Sequence, residues 1–596
     1  MNRVLMIGIL FLGLSSCKKE FLDKTPQTAI APSAFFKTEQ DLSLYINGLL
    51  SLPDRNTYLN DQSSDNLATT GAIEVKVIMT GSPTAQNITS GWSWSRLRDI
   101  NYFLDNYKTA IVDSAVRDHY VGLARYYRAV FYMGMVQRYS DVPWYSHTLN
   151  PSDSALYKPR DPRALVVDSL MADLDFAAAH VQTTNIPTGT PGGWAVKLFY
   201  ARAALYEGTY RKYHNELNLV STASRFLQKA VDVTKDIMTN GGFSLYSTGK
   251  PASDYATLFA SQDLTNNPEV LLANVFDVAK KISMDNNTGV FGNYEQSPAR
   301  DLIQTYLMQD GTRFTDKPGY QADSFVQEFQ GRDPRLSQTV VYPGWILAPN
   351  TVPYVQVLSG NFTGYHQLKG YINSVDPNII GGADFPVYRY AEALLIYAEA
   401  RAELDVITQA DLELSVNLLR ARAGLPALNM AMANTNPDPV LQAAYPAVGG
   451  ANAGVLLEIR RERRVELALE GFRYDDLMRW GVGKLLTNIP QGMYFPGLGK
   501  FDLTGDGIPD ICLIDKTQDI PVPAEQNSLG VPLHYYKTGT IQDGPVVTVA
   551  LQNGTGGGPI ITEATIRTFT DPKYYYRPVP ATQVLLNPNL KQIFGW

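Results

Sequence analysis

The chain has 596 residues, 45% of them hydrophobic, and carries 51 Lys and Arg against 58 Asp and Glu, a net charge of -7. That length and apolar content suffice for one large core or two smaller ones, and the acidic balance argues against nucleic acid as a partner. Cys17 and Cys512 are the only cysteines, so no disulfide framework holds the fold.

Arg3 gives a short positive start, residues 4–14 form an apolar run of secretory-signal length, and small residues follow. The run is too short to span a bilayer, and no later apolar run is long enough. Leu14-Ser15-Ser16-Cys17 matches a bacterial lipobox. Cys17 is therefore expected as the first mature residue, with a diacylglycerol on its sulfur and an acylated amino group, because one acyl chain anchors only marginally. Loss of residues 1–16 removes Arg3 and no acid, so the charge becomes -7 - 1 = -8. The expected division is a signal peptide at 1–16, a lipidated tether at 17–32, and a single domain at 33–596.

Within that domain, residues 33–240 read as successive amphipathic helices, clearest at 92–107, 120–139, 162–181, 194–210 and 225–238. Their spacing is that of paired-helix repeats, and Ala124, Ala129, Ala201, Ala203 and Ala204 would allow close helix contact. From 241 to 385 the pattern gives way to Gly, Asn, Pro and Tyr-rich loops with short strand-like runs at 270–275 and 339–342; long loops of this kind are usually functional. Helices return in the 386–596 region at 390–404, 412–423 and 456–480, interrupted by an irregular stretch at 425–454. The last hundred residues read as irregular.

Several segments in this order resemble the SusD/RagB family of outer-membrane nutrient-binding lipoproteins. They are Phe35-Phe36-Lys37-Thr38 with Asp41; Ala124 through Arg138-Tyr139-Ser140-Asp141-Val142-Pro143, where Ser140 stands in place of the usual glycine; and Arg332-Asp333-Pro334-Arg335-Leu336. Gly364-Tyr365 with Lys369, Arg389-Tyr390-Ala391-Glu392-Ala393 and Asn417 to Pro426 follow. Glu462-Arg463-Arg464 to Glu470-Gly471-Phe472-Arg473, Arg479-Trp480-Gly481 and the ending Asn587-Pro588-Asn589-Leu590 complete the set. The resemblance implies a mainly α-helical fold of tetratricopeptide-like helix pairs with long irregular loops and a few short strands. It also implies a surface protein, held in the outer membrane by its lipid, whose loop-rich face binds a glycan or sometimes a peptide. A TonB-dependent β-barrel transporter would be its partner, and no catalysis is expected.

Glu462, Glu466 and Glu470 fall at i, i+4 and i+8, along one face of a predicted helix. Two of them could approach the about 5 Å separation of a retaining glycosidase, the one enzymatic alternative. A general acid needs a raised pKa, however, and the arginines at 460, 461, 463, 464 and 473, with Arg420 and Arg422 as neighbours, favour ionised carboxylates. An Arg/Glu network fixing helix register is expected instead. The six histidines show no metal spacing.

Asp502, Thr504, Asp506, the Ile508 carbonyl and Asp510 have the spacing of a calcium loop with glycine at position six, and Asp515 could complete the shell. One structural Ca²⁺ is expected there; the competing reading is a metal-free Asp/Gly turn. For the ligand, aromatic rings beside amides or carboxylates suit sugars. Two stretches have that mixture, Tyr58 to Asn66 with Asn60, Asp61 and Asp65, and Phe291 to Glu295 with Asn293 and Tyr294; Trp92 is a further candidate ligand contact. With Trp92 and Trp94 two apart on the same predicted helix, at least one of them should be core.

Overall fold

The computed structural model describes residues 35–285, 287–291 and 295–596. Cys17 and the residues before it lie outside the described residues, and so does Tyr294.

Helix Glu39–Gly48 begins where the sequence supplies a reciprocal cap. The Thr38 hydroxyl accepts the Asp41 N–H, and the Asp41 carboxylate accepts the Thr38 N–H. Helix Ser114–Tyr139 then packs along Arg163–His180, and Gly193–Tyr213 along Ala223–Asn240, giving the expected helix pairs. Ala124, Ala129, Ala201 and Ala204 are fully buried. A Cβ on Gly208 would sit 2.8 Å from the Leu227 side chain, so the second pair closes to a distance that only glycine permits. Helix Tyr390–Glu403 packs on both Ala223–Asn240 and Ala453–Glu466, joining the helical scaffold to the C-terminal region. One hydrophobic core runs through these helices from Phe36 to Tyr576. A second, with Leu302, Tyr306, Met493, Ile511 and Leu513, lies around the C-terminal strands.

The strands are short. Leu67–Thr69 pairs antiparallel with Gln296–Pro298, Val270–Asn274 with Phe385–Arg389, and Gln491–Phe495 with Gly558–Ile561. A four-stranded sheet runs Gly499–Phe501, Ile511–Asp515, His534–Gly539, Val549–Ala550, antiparallel in its first pair and parallel in the other two. This sheet replaces the irregular C-terminus expected from sequence; its strands have no clean period of two, as the BBBii burial of Ile511–Asp515 shows.

Three other expectations change. The strand expected at 339–342 is the end of a helical turn, Leu336–Thr339, and Val340 makes only an isolated bridge to Gln367. The helix expected at 412–423 divides at Ser415 into Gln409–Glu413 and Val416–Arg422. The helix expected at 456–480 ends at Glu466, turns through Leu469 at φ +63° and Gly471 at φ +78°, and resumes as Arg473–Arg479.

Ser140 ends helix Ser114–Tyr139 at φ +61°, ψ -86°, fully buried. That is the strained, positive-φ γ-turn conformation, which glycine adopts without a Cβ penalty. Ser140→Gly is expected to stabilise the fold by about 0.5–1 kcal/mol, read as a raised urea midpoint at unchanged slope. A lowered midpoint would show that the serine hydroxyl, 3.2 Å from the Asp141 carboxylate, outweighs the strain.

Candidate functional site

The glutamates that imitate an active site are 2%, 0% and 9% exposed at Glu462, Glu466 and Glu470. Arg335 reaches Glu462 at 2.5 Å and Glu466 at 2.9 Å; Arg422 and Arg389 each meet Glu466 at 2.6 Å and Glu269 at 3.0 Å. Arg389 and Lys369 both hold Glu470 at 2.6 Å, and Arg420 bridges Glu458 and Glu462. The same cations cap the interrupted helix. Arg389 donates to the Glu466 carbonyl at 2.7 Å, Lys369 to that of Ala468 at 2.8 Å, and the Tyr255 hydroxyl to that of Glu466 at 2.7 Å. Burial pushes the Glu466 carboxyl up, but Arg422, Arg389 and Arg335 more than reverse this and hold it well below the usual range. Glu470 is also lowered: burial raises it, and Arg389 and Lys369 outweigh that. Neither can act as a general acid at neutral pH. The arginines of the helix itself point elsewhere: Arg460 to Glu403, Arg461 to Asp438, Arg463 to Asp476. The network reading holds, with Arg335, Lys369 and Arg389 as members that helix spacing could not reveal.

The two loops expected to meet a ligand are brought together by the Leu67–Thr69 and Gln296–Pro298 ladder. Asn60 is exposed there. Asp61 is not a surface contact: it is 1% exposed, and its carboxylate accepts the Asn66 amide and the Leu469 N–H, fixing the helix break. Asp65 is held by Arg473 through two contacts of 2.7 Å. Phe291 packs among Trp345, Tyr354, His366 and Tyr371, with centroids 4.7 to 5.6 Å away.

Trp92 and Trp94 precede helix Ser95–Asn106 instead of lying on it, so helical geometry does not separate them. Their rings meet edge to face at 5.3 Å, and both line a crevice of about 490 Å³. Tyr145 and Tyr157 add further rings; Arg98, His147, Gln583 and Asn587 add polar groups. Arg98 is oriented by the Leu149 carbonyl at 2.7 Å, and the Asn587 amide by the Lys158 carbonyl at 3.0 Å. Ring faces beside donors and acceptors suit a sugar's C–H faces and hydroxyl rim. Trp94, Tyr145, Tyr157 and Gln583 carry no shared sequence signal: the three rings lie on separate segments, and Gln583 joins them from the last helix, more than four hundred residues on. A second cleft, of about 980 Å³, contains Asp65, Arg300, Asp301, Arg464 and Arg473 on its walls.

In the acidic loop, Asp502 accepts the Gly505 and Gly507 N–H groups, Asp506 that of Ile508, and Asp510 those of Leu503 and Thr504. Asp515 turns to Thr517. Among the described residues no three acidic, His or Cys side chains group as a metal site would group them.

The sequence model of the SusD family matches residues 268–596, more than half of the chain. The chain belongs to the SusD family. Two SusD-like proteins of Formosa agariphila are 24% and 22% identical to it, over 79% and 81% of this chain and 90% of each relative. A solved SusD-like carbohydrate-binding protein of Bacteroides fragilis superposes at TM-score 0.67 with 22% identity, covering 94% of this chain and all of that one. Another SusD-like protein of that organism gives 0.65 at 21% identity, covering 96% of this chain and all of that one. The described helices agree with that fold.

Glu466→Gln keeps the size of the side chain but removes the charge that three arginines share, and is expected to cost about 3–5 kcal/mol. The carboxyls of Glu466, Glu470 and Asp65 lie below their ordinary values in the fold, and Glu399, raised by burial but lowered more by Arg479, is brought down to about 2. Their stabilisation is therefore complete above the ordinary carboxylate range and is lost as pH falls through it towards about 2. Asp61 and Asp475, pushed up to about 6 by burial, act oppositely, and their contribution is lost as pH rises through that value. Urea unfolding at pH 7, 4 and 3 measures the balance. A Gln variant as stable as the parent would show the network to be dispensable.

Proposed function

We propose that this chain is a lipid-anchored, cell-surface protein that captures a glycan and delivers it to a TonB-dependent outer-membrane transporter. Family membership supports the class, and the lipobox ending in Cys17 supports the anchor. No helix among the described residues is long and apolar enough to cross a membrane, so a lipid is the attachment consistent with the sequence. The observation that carries the ligand class is the crevice where Trp92, Trp94, Tyr145 and Tyr157 stand beside Arg98 and Gln583. The carbohydrate-binding description of the Bacteroides fragilis relative points the same way. The buried, ion-paired glutamates support binding without turnover.

A glycan and peptide array on the chain lacking residues 1–17 should return a glycan. Trp92→Ala and Trp94→Ala are then expected to weaken calorimetric affinity by about 1–2 kcal/mol each, roughly 5- to 30-fold; both rings also pack on the core, so binding is measured well below the melting temperature of each variant. Cys17→Ser should move the full chain from membrane to soluble fractions and end its co-purification with a β-barrel transporter. Peptide binding in place of glycan, sustained release of cleaved sugar, or tryptophan variants of parental affinity would each defeat the reading.

We further propose that calcium reinforces the acidic loop through Asp502, Thr504, Asp506, the Ile508 carbonyl and Asp510. The positive φ of Gly505 and Gly507 gives the curvature, while the amide contacts already made by the carboxylates limit the gain. Millimolar calcium is expected to raise the melting temperature by about 1 °C, reversed by EDTA. No shift would remove the metal, and a rise of several degrees would establish a tight site.

A further inference from the structure

The second cleft differs in chemistry from the tryptophan crevice: it sets ionised and amide side chains among apolar ones such as Leu441 and Ile489. Its walls come from helix Arg300–Thr305, helix Pro439–Ala444, the 485–491 segment and the Gly558–Ile561 strand. Gln321, Asn488, Gln491 and Gln552 line it with side-chain amides that make no hydrogen bond to the described protein. Such amides each offer a donor and an acceptor, the pairing that neighbouring sugar hydroxyls need.

Charge in the cleft is unevenly satisfied. Arg300 is matched by buried Glu328 at 2.7 Å, and Arg473 takes Asp65 bidentately. Arg464 is different. Its Nε donates to Asn66 at 2.9 Å and its Nη1 to Thr305 at 3.0 Å, and Nη1 meets Asp301 at 2.6 Å. Its Nη2 has no hydrogen bond and stands 3.4 Å from Asp65. The guanidinium is almost completely buried, whereas the Asp301 side chain is 65% exposed. Of the ion pairs in the cleft, this is the one whose anion reaches into water, so a ligand carboxylate can take its place and leave the buried guanidinium paired throughout. Its departure would free Nη1, a charge-assisted donor for an incoming carboxylate, while Nη2 stays buried against Asp65.

We propose that this cleft is a second ligand site, for an oligosaccharide bearing a carboxylate, in which the ligand's carboxylate displaces Asp301 from Arg464 and the ring of free amides receives the sugar hydroxyls. The site is independent of the crevice reading, because neither Trp92 nor Trp94 lines it.

The test is calorimetry on the chain lacking residues 1–17 with α-1,4- and β-1,4-linked uronate hexamers and their methyl esters, which keep the shape and lose the charge. At least one acid should bind about tenfold tighter than its ester and weaken as salt is raised. Asp301→Asn removes the competing anion from an exposed position and should tighten acid binding about 3- to 10-fold while leaving the ester unchanged. Asn488→Ala and Gln552→Ala should weaken both forms. Arg464→Gln should abolish the preference for the acid, and its melting curve separates lost recognition from lost folding. Equal affinity for acid and ester, an Asp301→Asn variant that binds like the parent, failure of every acidic hexamer at millimolar concentration, or binding of short peptide acids instead would each overturn the proposal.

Discussion

The fold depends on one carboxylate. Glu466 ends its helix with no solvent exposure and is shared by Arg335, Arg389 and Arg422. Those arginines come from three parts of the chain: the loop-rich middle, the strand that enters helix Tyr390–Glu403, and helix Val416–Arg422. Charges of this kind lose hydration on burial, so the cluster is not expected to exceed a well-packed apolar core in stability. What it supplies is uniqueness: any misregistered packing of these segments would leave a guanidinium or a carboxylate buried without a partner, at several kcal/mol each.

This explains why motifs that are scattered in sequence belong together in space. Arg335, Lys369, Arg389, Arg420, Arg422, Glu462 and Glu470 each lie in a different family-like segment or at a different point within one, and they meet around a single helix end. A neighbouring set repeats the logic: Glu399 takes Arg479 at 2.5 Å and the Trp480 indole N–H at 2.7 Å, while Asp476 joins Arg463 and Arg479. The helix interrupted after Glu466 is part of the same device. Its open carbonyls are acceptors for Arg389, Lys369 and Tyr255, and Asp61 receives the Leu469 N–H across the break.

The long amphipathic helices were legible because periodic apolar faces are a local property, and helices Arg163–His180 and Ala223–Asn240 fall within two residues of expectation at each end. The break after Glu466 was not legible, since Leu469 and Gly471 take positive φ under tertiary constraint while the residues around them are good helix formers. The C-terminal sheet was missed because strands of two to six residues carry too little alternation. The acidic residues at 61 and 65 had the composition of a sugar site, but composition does not show which charges are already paired. Asp65 is taken by Arg473 and Asp61 by amides of the fold, whereas Trp92 borders open space.

Both cavities are built differently from the network. The crevice takes its walls from the approach to helix Ser95–Asn106, the loop after Pro143 and the last helix, Ala581–Leu586, and the cleft from four further segments. None of the cluster around Glu466 lines either one. Substitutions in the crevice, and at the unpaired amides of the cleft, can therefore change which ligand fits without leaving a buried charge unpaired, whereas the paired Asp65, Arg300 and Arg473 of the cleft belong to both framework and lining. A fold arranged this way keeps its framework legible in sequence while its ligand stays hidden: the framework is written in residues that must pair with one another, and what a ligand would meet is the rings of the crevice and the amides of the cleft, which have no such partner.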